Sequence, residues 1–212
     1  MKGKPAAKQK ARSGPPQQVR IIGGQWKRTP LAVLDADGLR PTPDRVRETV
    51  FNWLRHLFDD EWEQIHCLDL FAGTGALGFE AASRGATQVL MVEENATACR
   101  QLEAMRDKLQ AQQLRIQRGD ALSIAQGLAA GTQRFQLIFL DPPYHQDWLA
   151  RIFPLCERLL AEGGIMYVES EMPIENQSDQ DPEPEWMTPW QVLRAGKAGM
   201  VCFHLLRLRN EA

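Results

Sequence analysis

The chain has 212 residues, 43% of them hydrophobic, and a net charge of -2, which fits one α/β domain of ordinary size with an appendage. No apolar run approaches the roughly 20 residues that span a bilayer, and no apolar stretch follows the basic N-terminus as in a secretory signal, so a cytoplasmic protein is expected. Four widely spaced cysteines without a CxxC pair and four scattered histidines argue for reduced, buried thiols and against a structural metal.

Residues 1–18 are rich in Lys, Pro, Gln, Ala and Gly and show no periodicity, so they read as a disordered basic tail. Residues 1–34 hold eight bases and no acid, while the remainder is strongly acidic. A basic arm on an acidic body suits contact with phosphates, and Lys8, Lys10, Arg12, Arg20, Lys27, Arg28, Arg40 and Arg45 are the candidate RNA contacts. The plain alternative is a solubilising tail. Val19–Ile22 and Leu31–Leu34 flank Gly23-Gly24 and predict a small hairpin or extended arm. Thr42 is placed to cap a helix with Pro43 at its first position. Val46, Val50, Trp53, Leu54 and Leu57 then recur at helical spacing, opposite Arg45, Glu48, Asn52 and Arg55.

From Ile65 strands and helices alternate. Strands are expected at 66–71, 87–93, 114–118, 135–140, 164–169, 190–194 and 200–208, and helices at 76–84, 96–110, 121–129 and 147–161, with a kink or break at Pro154. The pattern implies βαβ units, hence a mainly parallel seven-stranded sheet with helices on both faces. Only Ala195–Gly199 separate the last two strands, so the final one should be antiparallel. The organisation is therefore a tail (1–18), an N-terminal hairpin and helix (19–62) and an α/β domain (63–209), with an exposed Pro- and acid-rich loop over 171–189.

Two segments bear chemistry. Leu68-Asp69-Leu70-Phe71-Ala72-Gly73-Thr74-Gly75-Ala76-Leu77-Gly78 runs from a strand through a glycine loop into a helix. Its G-x-G-x-x-G pattern also suits dinucleotides. Asp69 tilts the choice, because a carboxylate there can approach an ammonium group and offers nothing to a pyrophosphate. Glu93 ends the next strand and could bind ribose hydroxyls; Asp120 ends the third and could accept from an adenine amine or cap a helix. The second segment, Asp141-Pro142-Pro143-Tyr144, follows the apolar run Phe135–Leu140. Two prolines force a turn at the strand's carboxyl end, where open α/β sheets bind ligands. A carboxylate, a rigidly held carbonyl and an aromatic ring suit a planar base with an exocyclic amine. Acceptors on its N–H groups would free the nitrogen lone pair for a methyl sulfonium. A purely structural turn, with Asp141 capping and Tyr144 packing, is the alternative.

These segments, with Arg40-Pro41-Thr42, Asp44–Glu48, Phe51–Leu54 and Tyr167-Val168-Glu169-Ser170 in the same order, make the chain similar to the bacterial 16S rRNA (guanine(966)-N(2))-methyltransferase family, RsmD-type, over about residues 19–208. The resemblance implies a class I Rossmann-like methyltransferase fold and S-adenosyl-L-methionine as donor. It also implies a guanine N2 acceptor in 16S rRNA, within the small ribosomal subunit or an assembly intermediate; separately, a monomer without metal is expected. It assigns Asp69, Phe71, Gly73, Gly75, Glu93, Asp120 and Thr42 to the donor site, and Asp141, Pro142, Pro143 and Tyr144 to the acceptor site. Many amino-methylases have Asn where this chain has Asp141, and an ionised Asp only accepts. On the residues alone three other readings remain. They are an adenine N6 or protein glutamine methylase, a catalytically silent RNA-binding assembly factor, and a nicotinamide-dependent oxidoreductase.

Overall fold

The computed structural model describes residues 19–33, 42–143, 148–174 and 184–209. Tyr144, Arg40, Lys8, Lys10 and Arg12 lie outside the described residues, as do the tail and the middle of the 171–189 loop.

Seven strands form one sheet. They are β3 (His66–Asp69), β4 (Gln88–Glu93), β5 (Leu114–Arg118), β6 (Phe135–Leu140), β7 (Leu160–Ser170), β8 (Trp190–Ala198) and β9 (Val201–Leu208), in the spatial order β5-β4-β3-β6-β7-β9-β8. The first five in that order run parallel, and β9 is antiparallel to both β7 and β8. The order reverses between β3 and β6, the place where doubly wound sheets open a crevice at their carboxyl ends. The β8–β9 hairpin closes more tightly than expected. Ala198 pairs with Val201, which leaves Gly199 and Met200 as the turn, with Gly199 at φ 64.

The helices are α1 (Asp44–Leu57), α2 (Ala76–Arg84), α3 (Ala96–Leu109), α4 (Ala121–Ala129) and α5 (Trp148–Leu159). Two clusters of buried side chains show how they divide. Val46, Val50, Phe51 and Leu54 of α1, Phe79 of α2 and Leu102 of α3 pack with Cys67, Leu137, Phe139 and Tyr167 on one face of the sheet. Ala121, Ala125 and Ala129 of α4 and Ile152, Phe153 and Cys156 of α5 pack with Leu68, Ile138, Met166 and Val168 on the other. Adjacent residues of one strand point to opposite faces, so nearly every position of the central strands must be apolar. All four cysteines are buried and free. Helix α5 continues through Pro154, so the expected break does not occur. Pro154 lies on the exposed face, where the carbonyl it leaves unbonded can meet water.

The hairpin of the N-terminal arm forms as expected, with β1 (Val19–Arg20) antiparallel to β2 (Pro30–Leu31). The capping expectation fails: Pro43 occupies the cap position of α1, with no side-chain cap bond, and Thr42 points elsewhere. The arm is held by charge that the sequence did not flag. Glu80 of α2 is fully buried; its Oε2 accepts from Ile22 N–H at 2.6 Å, and its Oε1 from Gly23 N–H at 2.9 Å and Arg84 Nε at 2.8 Å. Ser83 Oγ accepts from Trp26 N–H at 2.9 Å and donates to Gly23 O at 2.7 Å. Gly24 sits at φ 72 with Ser83 O only 1.9 Å from where a Cβ would be, so no other residue fits there. Arg47 of α1, also fully buried, donates to Arg20 O at 2.9 Å, Asp44 Oδ1 at 2.7 Å and Thr42 O at 3.4 Å, and its Nη1 lies 4.0 Å from Glu80.

Truncating one member of a buried charge group leaves the others uncompensated. Arg47→Ala should therefore cost about 3–5 kcal/mol of unfolding free energy. A denaturant titration of wild type and variant reads this directly, and a loss under about 1 kcal/mol would show that Arg47 is not what offsets the burial of Glu80.

Candidate active site

The carboxyl ends of five adjacent strands each bring an acidic side chain to one edge of the sheet. Along that edge stand Asp120 after β5, Glu93 of β4, Asp69 of β3, Asp141 after β6 and Glu169 of β7. Asp69 and Asp141 flank the reversal in strand order. A row of like charges is unfavourable unless each is compensated, and the partners divide the row into two halves.

On the β5-β4-β3 side the compensation is backbone N–H. Glu93 Oε2 accepts from Gly73 N–H at 2.9 Å and Oε1 from Asn95 N–H at 2.7 Å, which ties the glycine loop to the end of β4. Asp120 caps α4: its Oδ2 accepts from Ser123 N–H at 2.8 Å and Ser123 Oγ at 2.7 Å, and these bonds hold its carboxyl below the usual range. The capping alternative for Asp120 is thus realised, with Oδ1 left for another partner. Asp69 is 1% exposed and its Oδ2 accepts from Gly78 N–H at 3.1 Å. Its Oδ1 makes no hydrogen bond although it is buried. Burial pushes Asp69 up to about 7, opposed by the N–H groups of Gly78 and Phe71 and assisted by Glu93.

The loop's glycines have separate physical reasons. Gly75 starts α2 at φ 77, and a Cβ there would lie 2.6 Å from Leu102 and 2.7 Å from Phe79. At Gly78 a Cβ would lie 2.5 Å from Met91 Sδ, so only glycine lets α2 sit against the sheet and give its N–H to Asp69. Phe71 packs edge-on against Trp148 at 5.1 Å, joining the loop to the start of α5.

On the β6-β7 side no backbone N–H among the described residues compensates the acids. Thr42 reaches over the strand ends from the segment before α1. Its Oγ1 lies 2.5 Å from Glu169 Oε1 and 3.4 Å from Asp141 Oδ2, and the Tyr167 hydroxyl donates to the same Glu169 oxygen at 2.7 Å. Burial and the neighbouring Glu169 and Asp69 raise Asp141 well above the carboxylate range. Burial raises Glu169 too, against its two hydroxyl donors. Pro142 is buried and Pro143 exposed. Sequence reasoning placed Thr42 with the donor site; the structure puts it against Asp141 and Glu169. Neither Glu169 nor Tyr167 was singled out as a site residue, although a charged residue ending the apolar run Ile165–Val168 was the available signal. Among the assigned RNA contacts, Arg20, Lys27, Arg28 and Arg45 are all exposed, and Arg20 pairs with Asp44 at 3.1 Å. Among the described residues no group of His, Cys, Asp and Glu could hold a metal ion, and no helix is long and apolar enough to cross a membrane.

Known proteins resemble the chain over most of its length. The chain is 40% identical over 190 residues to "Ribosomal RNA small subunit methyltransferase D" of Escherichia coli K12, covering 89% of each chain. It is 36% identical over 194 residues to the protein of that name in Haemophilus influenzae Rd, covering 89% of this chain and 93% of that one. The solved structure of Escherichia coli yhhF superposes with a TM-score of 0.72 at 33% identity, covering 92% of this chain and 99% of that one.

An acid whose folded pKa exceeds its unfolded value stabilises the fold least at high pH. With Asp69 near 7 when folded and near 3.8 when unfolded, stability should fall as pH rises from about 4 to about 7 and then level off. Asp69→Asn should remove that slope and make the ligand-free protein more stable at pH 8, by on the order of a few kcal/mol. Thermal unfolding of both proteins at pH 4, 6 and 8 checks it; parallel pH profiles would contradict the burial of an ionisable Asp69.

The family described as "Conserved hypothetical protein 95" matches residues 19–207, and with these relatives at its side the chain belongs to that family of ribosomal RNA small subunit methyltransferase D proteins.

Proposed function

We infer that this protein transfers a methyl group from S-adenosylmethionine to an exocyclic amine of 16S rRNA, the N2 of a guanine of the 966 type. The observation that carries the reading is the pairing, across the strand-order reversal, of a buried half-satisfied carboxylate at Asp69 with the Asp141-Pro142-Pro143 turn. The names of the relatives supply the substrate class.

The residues present fit the donor. Asp69 Oδ1 is a buried acceptor in need of a cation, which the α-ammonium of S-adenosylmethionine would provide. Glu93 stands by the glycine loop for the ribose hydroxyls, and the free oxygen of Asp120 suits the adenine amine. Ionised Asp69 offers no reason for a pyrophosphate to sit there, which disfavours a nicotinamide cofactor. When bound, the donor supplies an electrophilic methyl group on a sulfonium.

The chain's own residues do the rest. Asp141 and the Pro142 carbonyl accept from the substrate amine and turn its lone pair out of conjugation, with Tyr144 as the stacking ring, an interaction worth about 1–3 kcal/mol. The base must leave its helix or loop to reach a crevice at the strand ends. Arg20, Lys27, Arg28 and Arg45, with Lys8, Lys10, Arg12 and Arg40, would hold the RNA backbone. The proposed substrate context is the small ribosomal subunit or an assembly intermediate. Labelled donor, incubated with stripped 16S rRNA and with subunits and followed by mapping of the modified base, tests the reading. Label in no guanine N2 would refute it.

Asp141→Ala should slow single-turnover methyl transfer by about 10²–10³-fold, the usual cost of one preorganised polar group, and leave donor affinity nearly unchanged. A variant within a few-fold of wild type would remove Asp141 from the acceptor site.

Deleting residues 1–18 should weaken rRNA binding and flatten the slope of log K against log[salt] by roughly 0.7–0.9 for each phosphate that the tail no longer neutralises. Filter binding across a salt series checks this, and superimposable slopes would make the tail a solvated appendage.

A further inference from the structure

The hydrogen bonds available to Thr42 fix where a proton sits. Its hydroxyl has one hydrogen and touches two carboxyl groups, Glu169 Oε1 at 2.5 Å and Asp141 Oδ2 at 3.4 Å. The closer oxygen takes the hydrogen, and Glu169 Oε1 also receives the Tyr167 hydroxyl at 2.7 Å. Glu169 thus collects two O–H donors and is the natural anion of the pair. Among the described residues Asp141 has only the longer contact with Thr42 Oγ1, and with the Thr42 hydrogen on Glu169 that contact is favourable only if Asp141 itself bears a proton.

Asp69 faces the pair from β3 with a further negative charge, and Arg47 of α1 meets Thr42 at its backbone carbonyl while its other contacts are to Arg20 O, Asp44 and Glu80. Among the described residues no Lys or Arg side chain forms an ion pair with either acid. Half-buried Asp141 and buried Glu169, joined through one hydroxyl, suit a single shared proton, and both are shifted upward.

This arrangement resolves the presence of Asp where an amide would serve. A neutral carboxylic acid both donates and accepts, as asparagine does, and unlike asparagine it can pass a proton on. Methyl transfer leaves the amine with one proton too many. The new N–C bond uses the nitrogen lone pair, the electron pair of the broken S–C bond stays on sulfur, and one N–H must be lost.

Building on the methyltransferase reading above, we propose that Glu169 is the terminal proton acceptor of this reaction, reached through Asp141 and the Thr42 hydroxyl. The amine proton passes to the carbonyl oxygen of Asp141. The acid proton of Asp141 moves onto Thr42 Oγ1, and the Thr42 proton moves onto Glu169. The pair goes from one shared proton to two and from one negative charge to none. Product release opens the edge to water, which takes the extra proton. Thr42 belongs to the N-terminal arm and is fastened by Arg47, so the relay is complete only when the arm is docked.

The test uses Glu169→Gln, Thr42→Val, Thr42→Ser and the Glu169→Gln/Thr42→Val double variant in the full chain, with rRNA and donor. Glu169→Gln and Thr42→Val should each slow the single-turnover rate by about 10²-fold, in the range of a lost general base, with donor Kd and rRNA Kd unchanged. The double variant should be no slower than either single one, because all three residues serve one path. Thr42→Ser should keep most of the rate. The wild-type rate should fall on the acid side as Glu169 takes its proton, and that limb should be absent in Glu169→Gln.

A readout independent of turnover is the carboxyl ¹³C NMR titration of the ligand-free protein. Asp141 should be protonated at pH 7 with Glu169 ionised, and Asp141 should titrate lower in Glu169→Gln. An ionised Asp141 at pH 7 in the free wild-type protein overturns the proposal even if the variants fold poorly. So does an active wild type matched within a few-fold by well-folded Glu169→Gln. A wild type that methylates no rRNA is instead the failure of the functional reading.

Discussion

Everything at this site follows from placing five carboxyl groups along one edge of a parallel sheet. The edge is where strand ends, helix starts and loops meet, so backbone N–H groups are available there, but only for as many acids as the loops can reach. Glu93, Asp120 and Asp69 take N–H groups from Gly73, Asn95, Ser123 and Gly78. Among the described residues Asp141 and Glu169 receive no N–H group and are met instead by two hydroxyls. The boundary between the two regimes coincides with the reversal of strand order between β3 and β6. One regime suits a cationic donor held by ionised acids. The other suits a neutral amine that must lose a proton.

The N-terminal arm is the device that completes the second half. Its backbone is clamped to α2 by Glu80 and Ser83, and α2 is the helix that the donor loop opens. Its carbonyls at Arg20 and Thr42 are clamped to α1 by Arg47. The same buried ion group therefore touches the helix behind the glycine loop and the backbone of Thr42, which bridges Asp141 and Glu169.

Much of the fold was legible in the sequence. The expected bounds of β5, β6, α2 and α4 match to the residue, and for β6 the reason is plain: a strand buried on both faces leaves the apolar run Phe135–Leu140, interrupted only by Gln136. The pairing of the last strands followed from the length of their turn, and the N-terminal hairpin from the two apolar runs flanking Gly23-Gly24. Thr42 was misread because its Thr-Pro-Asp context is a good capping signal, and local chemistry cannot see that Glu169, 127 positions away, lies 2.5 Å from its hydroxyl. Arg47 and Glu80 were missed for a related reason: charged residues on a helix read as solvated unless their partners are known. The Asp69 to Gly78 loop and the Asp141 turn were visible because each is a distinctive pattern of neighbours in sequence. The Thr42–Glu169 hydrogen bond constrains neighbours in space alone.

The central claim is that the edge has a donor half and an acceptor half meeting at Asp69 and Asp141. A crystal structure with S-adenosylhomocysteine bound tests it most directly. The account requires the ligand's amino group within hydrogen-bond distance of Asp69 Oδ1, its ribose beside Glu93, and its sulfur facing the crevice beside Asp141 and Thr42. A ligand whose amino group lies away from Asp69, or one that occupies the space between Asp141 and Glu169, would contradict it.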